Sequence, residues 1–161
     1  MKYITTMKKA VVVLLCMVCV HVSVAGQPEC MYPPAEGSEN IVIVRVQYAA
    51  TIPNEEYIVI VNKGDVPVDL SGWVVFNSYY ETYRYLPPLE RTNASAWKHI
   101  YKIPYGFTLY PKYWVRICSG RGQDNELYLY RNLNEQWLTD EGDTVYLMDN
   151  LCNVIDEYSW S

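Results

Sequence analysis

Short apolar runs rich in Val, Ile and Tyr recur along the chain, and turn-forming residues separate each run from the next. The first two are IVIVRVQY at 41–48 and YIVIV at 57–61, and Asn62-Lys63-Gly64-Asp65 ends the second. Asn and Gly tolerate positive φ, so this break predicts a turn. YIVIV is apolar on both faces, which is typical of a central strand. Many short strands with regular turns predict an all-β sandwich or barrel.

The N-terminal segment has a different character from the rest of the chain. Lys8 and Lys9 precede an unbroken apolar stretch at 10–20, and Ser23-Val24-Ala25 places small residues where a signal peptidase needs them. This pattern predicts a signal peptide cleaved near residues 25–26 and a secreted or cell-envelope protein. The alternative is that the segment stays uncleaved and anchors the protein in the membrane. We expect a membrane contact only in that case. The apolar stretch is shorter than the roughly 20 residues of a membrane span.

Composition divides the chain into three parts. Residues 1–26 are the predicted signal peptide, and 27–40, which is rich in Pro, Glu, Gly and Ser, is interpreted as a flexible tether. Residues 41–161 carry the strand pattern and are predicted to form a single domain. Within this domain, 77–100 is longer than a usual connection between strands.

Charge is distributed unevenly once the leader is set aside. Residues 27–161 keep ten Lys and Arg against all 18 Asp and Glu, a net charge of −8 that repels nucleic acid on average. Residues 98–121 nevertheless contain no acid. A basic contact patch is therefore one interpretation, and ordinary solvated surface is the other. The basic residues of this stretch are Lys98, Lys102, Lys112, Arg116 and Arg121.

Three cysteines follow the leader: Cys30, Cys118 and Cys152. An oxidising compartment favours disulfides, and Cys118 with Cys152 is the candidate pair, although three thiols leave one over and the pairing stays open. No Cys-x-x-Cys spacing occurs, and His99 is the only histidine beyond the leader. We therefore predict no metal site and no cofactor.

Three segments, in order and spacing, resemble the lamin tail domain family in its secreted prokaryotic type. The first is EYIVIVNKGDVPVDLSGW at 56–73, and the second is IPYGFTLYP at 103–111, ahead of the strand at 113–119. The third is GDTVYLMD at 142–149, followed by NVIDEY at 153–158. The resemblance extends over 41–161 and implies an immunoglobulin-like β-sandwich.

The residues that carry the resemblance have structural roles in the expected fold. Leu70 and Trp73 are large apolar anchors, Gly72 allows a tight turn between them, and Asp69 can accept backbone N–H bonds in an Asx turn. Gly142-Asp143 is expected to start the penultimate strand. None of these residues indicates a substrate.

The segment 77–100 departs from the family pattern, in which a short hairpin loop is usual. Long loops on rigid scaffolds tend to hold binding residues, and exposed aromatic rings make good contacts. The alternative is that Tyr83 and Tyr85 alternate in an extra strand and pack on the sheet. Asn93-Ala94-Ser95 is also a possible glycosylation site at Asn93 in an exported chain. The candidate ligand-binding residues of this segment are Tyr79, Tyr80, Tyr83, Tyr85 and Trp97.

No catalytic constellation stands out, and we predict that the protein is not an enzyme. A triad would have to use His99, for which a surface role is the simpler interpretation. We expect a non-catalytic exported interaction module that binds protein or glycan partners at the cell envelope or outside the cell. Lamin tails are associated with chromatin and protein partners, and exported relatives often accompany nucleases. The resemblance therefore also implies an alternative, a nucleic-acid-binding accessory domain, whereas a small hydrolase ranks last.

Overall fold

The computed structural model describes residues 32–86 and 94–161. Short 3₁₀ turns cover Ser38–Asn40, Pro53–Glu55 and Ala94–His99, and one α-helix, α1, covers Ser78–Arg84. The strands of this part of the chain are β1 Ile41–Gln47, β2 Tyr57–Asn62, β3 Val68–Asp69, β4 Val74–Asn77, β5 Ile100–Lys102, β6 Thr108–Leu109, β7 Trp114–Cys118, β8 Tyr128–Tyr130, β9 Asp143–Met148 and β10 Val154–Trp160.

The strands form two four-stranded sheets and one two-stranded sheet. The first sheet has the order β1-β2-β7-β8, the second has the order β10-β9-β4-β5, and β3 pairs with β6. All pairs are antiparallel except β7 with β8. The prediction that YIVIV is a central strand is confirmed, because β2 lies between β1 and β7. The predicted all-β, immunoglobulin-like sandwich is also confirmed.

One apolar core joins the two large sheets. Ile58, Ile60 and Ile117 of the first sheet and Val75 and Leu147 of the second belong to the same buried cluster, so the sheets pack face to face. In β2, fully buried side chains alternate with half-buried ones, as the period of two requires. Each such side chain contributes about 1.5–3 kcal/mol when it is fully buried.

The Asp-Leu-Ser-Gly-Trp segment forms the expected tight turn. The N–H of Ser71 donates to Oδ1 of Asp69 at 2.8 Å, which closes an Asx turn, and the N–H of Trp73 donates to the carbonyl of Leu70 at 3.0 Å. Gly72 has φ 77°, a conformation that L side chains resist. Leu70 and Trp73 are consequently turned into the core, where they are 0% and 1% exposed.

Two predictions about local structure differ from the observed chain. The tether predicted at 27–40 is not wholly detached, because Gly37 and Ser38 are buried and Gly37 would clash with Val66 if it carried a Cβ. The strand alternative for Tyr83 and Tyr85 is wrong, since Ser78–Arg84 is helical.

The helix begins at Asn77 because this side chain caps it. Its Oδ1 accepts a hydrogen bond from the N–H of Tyr80 at 3.3 Å, and its own backbone stays extended. Seven residues are too few to show a clear 3.6-residue period, so the pattern alone did not indicate a helix.

The predicted disulfide between Cys118 and Cys152 is also wrong. Cys118 is a buried free thiol at the end of β7 in the first sheet. Cys152 is exposed, in the turn between β9 and β10 of the second sheet. The two residues therefore lie in different layers of the sandwich. Cys30, Asn93 and the predicted signal peptide lie outside the described residues.

Candidate functional site

The helix α1 covers the outer face of the second sheet. Val75 points into the core, so its neighbour Phe76 points to the opposite face, yet Phe76 is 0% exposed. The ring of Tyr146 stacks on Phe76 at 5.3 Å, and the ring of Tyr80 tilts over it at 5.7 Å. Tyr80 in turn contacts Tyr83 at 6.0 Å. These tyrosines therefore pack with Phe76 in a small apolar cluster under the helix.

Arg84 ties the end of the helix to this cluster. Its guanidinium lies 5.0 Å from the ring centre of Phe76 and 4.7 Å from that of Tyr85. Its Nε is 2.6 Å from a carboxylate oxygen of Glu81, and its Nη2 donates to the hydroxyl of Tyr85 at 2.7 Å. Tyr85 is thereby held against the protein.

Only two of the five predicted aromatic contact residues are exposed. Tyr79 is 42% exposed and Trp97 is 59% exposed, whereas Tyr80, Tyr83 and Tyr85 are half-buried. Tyr79 packs on the ring of His99 at a distance of 4.2 Å. The structure thus divides the predicted set between packing and exposed surface.

His99 is held by polar contacts and is not paired with a nucleophile. Its Nδ1 lies 3.1 Å from the side-chain nitrogen of Asn77, and the nearby hydroxyl of Ser78 donates to the carboxylate of Asp143 instead. Burial lowers the pKa of His99, and the positive charges of Arg131 and Lys98 act in the same direction. The described contacts therefore connect no serine to this imidazole.

Arg131 supports the same region from within the protein. Its guanidinium donates to the carbonyls of Lys98 and Ile100 at 2.6 and 3.0 Å and stacks 3.9 Å from the ring centre of Trp137. Burial lowers the pKa of Arg131 to about 9, so the group stays protonated at neutral pH. Its contacts fix the start of β5 to the chain before β9.

The predicted basic residues do not share one surface. Lys102 lies on β5 of the second sheet, whereas Arg116 lies on β7 of the first sheet with its guanidinium 3.9 Å from the ring centre of Tyr57. Lys98 pairs with Glu135, and Lys112 pairs with Asp65 at 2.9 Å. Arg121 is exposed in the connection after β7.

A cleft lies where the connections flanking β6 meet the one between β7 and β8. It encloses about 450 Å³. Tyr105, Tyr110 and Tyr113 line it and are 79%, 60% and 59% exposed, while Leu109 and Leu129 are almost fully buried and form its floor. We call it the tyrosine cleft. Its remaining lining residues are Pro104, Gly106, Phe107, Thr108, Asp124, Asn125 and Glu126.

Hydrogen bonds of Asn62 and Asn125 fix the two sides of the tyrosine cleft. On one side, the carbonyl of Tyr113 accepts from the backbone N–H of Asn62 at 3.0 Å. On the other side, Oδ1 of Asn125 accepts from the N–H groups of Leu127 and Tyr128 at 2.9 and 3.0 Å. The cleft is therefore built on fixed backbone.

Sequence reasoning missed the tyrosine cleft. The segment IPYGFTLYPKYW at 103–114 carries a family motif and Lys112 of the predicted basic patch, and its tyrosines are not among the predicted contact residues. The available signal was the placement of three tyrosines close to turn-forming Gly106 and Pro111, since turn positions face solvent.

The described residues contain neither a metal-binding cluster nor a helix that could span a membrane. Within 32–86 and 94–161, no group of three or more His, Cys, Asp and Glu side chains is arranged to hold a metal ion. The helices in this part of the chain are all too short or too polar to cross a membrane.

The chain matches a protein-family model. The family model described as Lamin Tail Domain matches residues 34–161, which is most of the chain and includes both large sheets. No curated protein matches the chain at a significant level.

Proposed function

The chain belongs to the lamin tail domain family, and from this premise we propose that it is an exported, non-catalytic interaction module. Its partner is a protein or a glycan at the cell envelope or outside the cell. The family is one of immunoglobulin-like modules, and such sandwiches commonly present binding residues on the loops at their ends.

The tyrosine cleft is the observation that carries this proposal. Its volume of about 450 Å³ lies in the range of small-ligand sites. Exposed Tyr105, Tyr110 and Tyr113 supply rings with an apolar body and a polar tip, which suit either a sugar face or a peptide side chain. Three exposed rings around one apolar floor form the kind of surface patch that marks an interaction site.

Export is supported by the N-terminal sequence. The basic residues Lys8 and Lys9, the apolar stretch at 10–20 and the small residues before Gly26 match a secretory leader. Expression of the full chain, followed by mass spectrometry of the secreted fraction, tests this directly. A mature N-terminus near residue 26 or 27 is expected, and intact chain retained inside the cell would contradict export.

Binding is tested with residues 27–161 on an array of oligosaccharides and peptides. The variant Tyr105→Ala/Tyr110→Ala/Tyr113→Ala is expected to lose the wild-type signals while its unfolding curve shows that it remains folded. The matched control, Tyr79→Ala/Trp97→Ala, removes the two exposed rings near α1. Loss of binding in the control variant alone would place the site near α1. The absence of any array signal from wild type would contradict the proposal.

Nucleic-acid binding remains the alternative function. The acid-free stretch 98–121 favours it, whereas the separate partners of Lys98, Lys112 and Arg116 and the overall negative charge weigh against it. Fluorescence anisotropy with single- and double-stranded DNA across a salt series distinguishes the two functions. Saturable binding that weakens steeply with salt would favour the nucleic-acid function.

A further inference from the structure

We propose that the tyrosine cleft binds a cationic side chain, Lys or Arg, presented by a protein partner. This inference rests on the proposed function and names its ligand class. It depends on the charges that border the cleft, on the tyrosine rings and on the fixed positions of the loops.

The charge of the tyrosine cleft is negative. Asp124 and Glu126 line it, and no Lys or Arg belongs to the described lining. Lys112 follows the cleft residue Tyr110 closely in the chain, but its Nζ is held by Asp65 at 2.9 Å and by the carbonyl of Lys63 at 2.7 Å. A cation entering the cleft therefore meets two carboxylates that no lining cation neutralises.

The rings complement these carboxylates. An aromatic face carries negative potential and attracts a Lys or Arg head group within about 6 Å. Tyr105 already makes this contact at the border, where Nζ of Lys102 lies 5.1 Å from its ring centre and 3.3 Å from its hydroxyl, whereas no such cation is described over the rings of Tyr110 and Tyr113. Leu109 and Leu129 offer an apolar floor for the methylene stem of the incoming side chain.

The acidic side of the cleft is fixed before any ligand arrives. Oδ1 of Asp124 accepts from the N–H of Tyr130 at 2.8 Å, and the N–H of Asn125 donates to the carbonyl of Tyr128 at 2.8 Å. Within the described chain, no hydrogen bond joins Oδ2 of Asp124 or the carboxylate of Glu126 to the protein. A ligand thus meets an Asp124 carboxylate that is already held in place, and it spends little free energy on ordering this loop.

The same features disfavour other ligands. An anionic ligand such as a nucleic acid or a phosphorylated glycan is repelled by Asp124 and Glu126. A neutral sugar can stack on the tyrosines but leaves both carboxylates without a counter-charge, whereas a Lys or Arg group supplies one. Charge complementarity therefore selects a basic protein segment.

The test uses the chain 27–161 and two fluorescein-labelled peptides, Gly-Lys-Gly-Arg-Gly and its matched Gly-Gln-Gly-Gln-Gly. Anisotropy is measured at low and moderate salt. We expect saturable binding of the basic peptide, weakening with salt, and at least about tenfold weaker binding of the neutral peptide. No binding of the basic peptide at up to about 1 mM would overturn the inference.

Two charge variants test whether binding of the basic peptide depends on the carboxylates of the tyrosine cleft. Asp124→Asn/Glu126→Gln is expected to weaken binding of the basic peptide by about tenfold or more. Asp140→Asn/Glu141→Gln makes the same change in net charge at two exposed acids outside the cleft, and binding is expected to stay within about twofold of wild type. Equal losses in the two variants would show bulk attraction only and would overturn the inference.

The outcome also separates this inference from the proposed function. If the tyrosine variants abolish array binding while Asp124→Asn/Glu126→Gln has no effect, the interaction module stands and the cationic ligand is wrong. If the array identifies only neutral oligosaccharides and the basic peptide does not bind, the glycan form of the function is correct. If neither array nor peptide gives a signal, both proposals fail.

Discussion

The side-chain amide of Asn62 donates a hydrogen bond to the carbonyl of Leu109 at 2.9 Å, and so joins the end of β2 to the floor of the tyrosine cleft. The same nitrogen donates to the carbonyl of Val66 at 2.8 Å, and its Oδ1 accepts from the N–H of Gly64 at 2.9 Å. Asn62 and Leu109 are 0% and 2% exposed, and the bonds to Leu109 and Gly64 are buried, so these two backbone groups have no water as a substitute partner.

Replacing Asn62 by Ala is therefore expected to destabilise the fold by about 3 kcal/mol, because buried backbone groups lose their partner. Urea denaturation measures the change in the free energy of unfolding. The control is Asn134→Ala, at an exposed asparagine, for which a change below about 0.5 kcal/mol is expected. Equal effects in the two variants would contradict the anchoring role of Asn62.

Gly72→Ala tests the tight turn between Leu70 and Trp73. The added Cβ has no neighbour closer than 3.4 Å, so the cost comes from placing Ala at φ 77° and is expected to be about 1–2 kcal/mol. Thermal and urea unfolding measure this cost. Gly72→Asn is the control, because Asn tolerates this backbone region better and should cost less. A larger loss for Asn than for Ala would contradict a backbone origin.

His99 predicts a loss of stability on acidification. Burial holds the pKa of His99 below its ordinary value of 6.5, so the neutral imidazole is favoured in the folded state. The contribution of the neutral imidazole to stability is fully present above the pKa of His99 in the unfolded state. It is lost as the pH falls through the pKa of His99 in the folded state. We expect wild type to lose stability relative to His99→Gln between about pH 7 and pH 5, as measured by urea unfolding. A difference that does not change with pH would refute this assignment.

Glu56 predicts a pH dependence of the opposite sign. Burial raises the pKa of Glu56 above 4.5, although Ser119 and the N–H groups of Trp137 and Leu138 donate to its carboxylate at 2.5, 2.9 and 3.2 Å. Its contribution to stability is full below the unfolded pKa and is lost as the pH rises through the folded pKa.

The measurement for Glu56 is the free energy of unfolding of wild type and of Glu56→Gln from about pH 4 to pH 8. The stability of wild type relative to the variant is expected to fall as the pH rises. Glu55→Gln, at an exposed neighbour, is the control and should show no such trend. A relative stability that grows with pH would mean that hydrogen bonding outweighs burial.

The thiol of Cys118 is expected to react slowly with thiol reagents. It is 3% exposed, and burial raises the pKa of its thiol, so little thiolate is present and reagents must wait for the sheet to open. In a Cys30→Ser/Cys152→Ser chain, reaction with a thiol reagent at neutral pH should be about 100-fold slower than in concentrated urea. Equal rates would contradict burial of this residue.

Local sequence was sufficient to predict much of the sandwich. Alternating and β-branched runs predict strands because side chains in a strand point to opposite faces with a period of two. The turn at Asp69–Gly72 is likewise local, since the Asx hydrogen bond and the positive φ involve residues within three positions of one another. Such short-range features determined that this chain forms a sandwich and where several of its turns lie.

The candidate site depended on contacts between distant residues. Tyr110 and Asp124 face the same cleft only because β7 pairs in parallel with β8 while β6 pairs with β3. Phe76 is covered because α1 folds back over the second sheet, and Cys118 lies in a different sheet from the turn that holds Cys152. A period of two assigns a side chain to one face of its own strand, but it carries no information about which strands and loops meet. Local sequence therefore determined most of the strands and turns, and tertiary packing decided which tyrosines and carboxylates share a cleft.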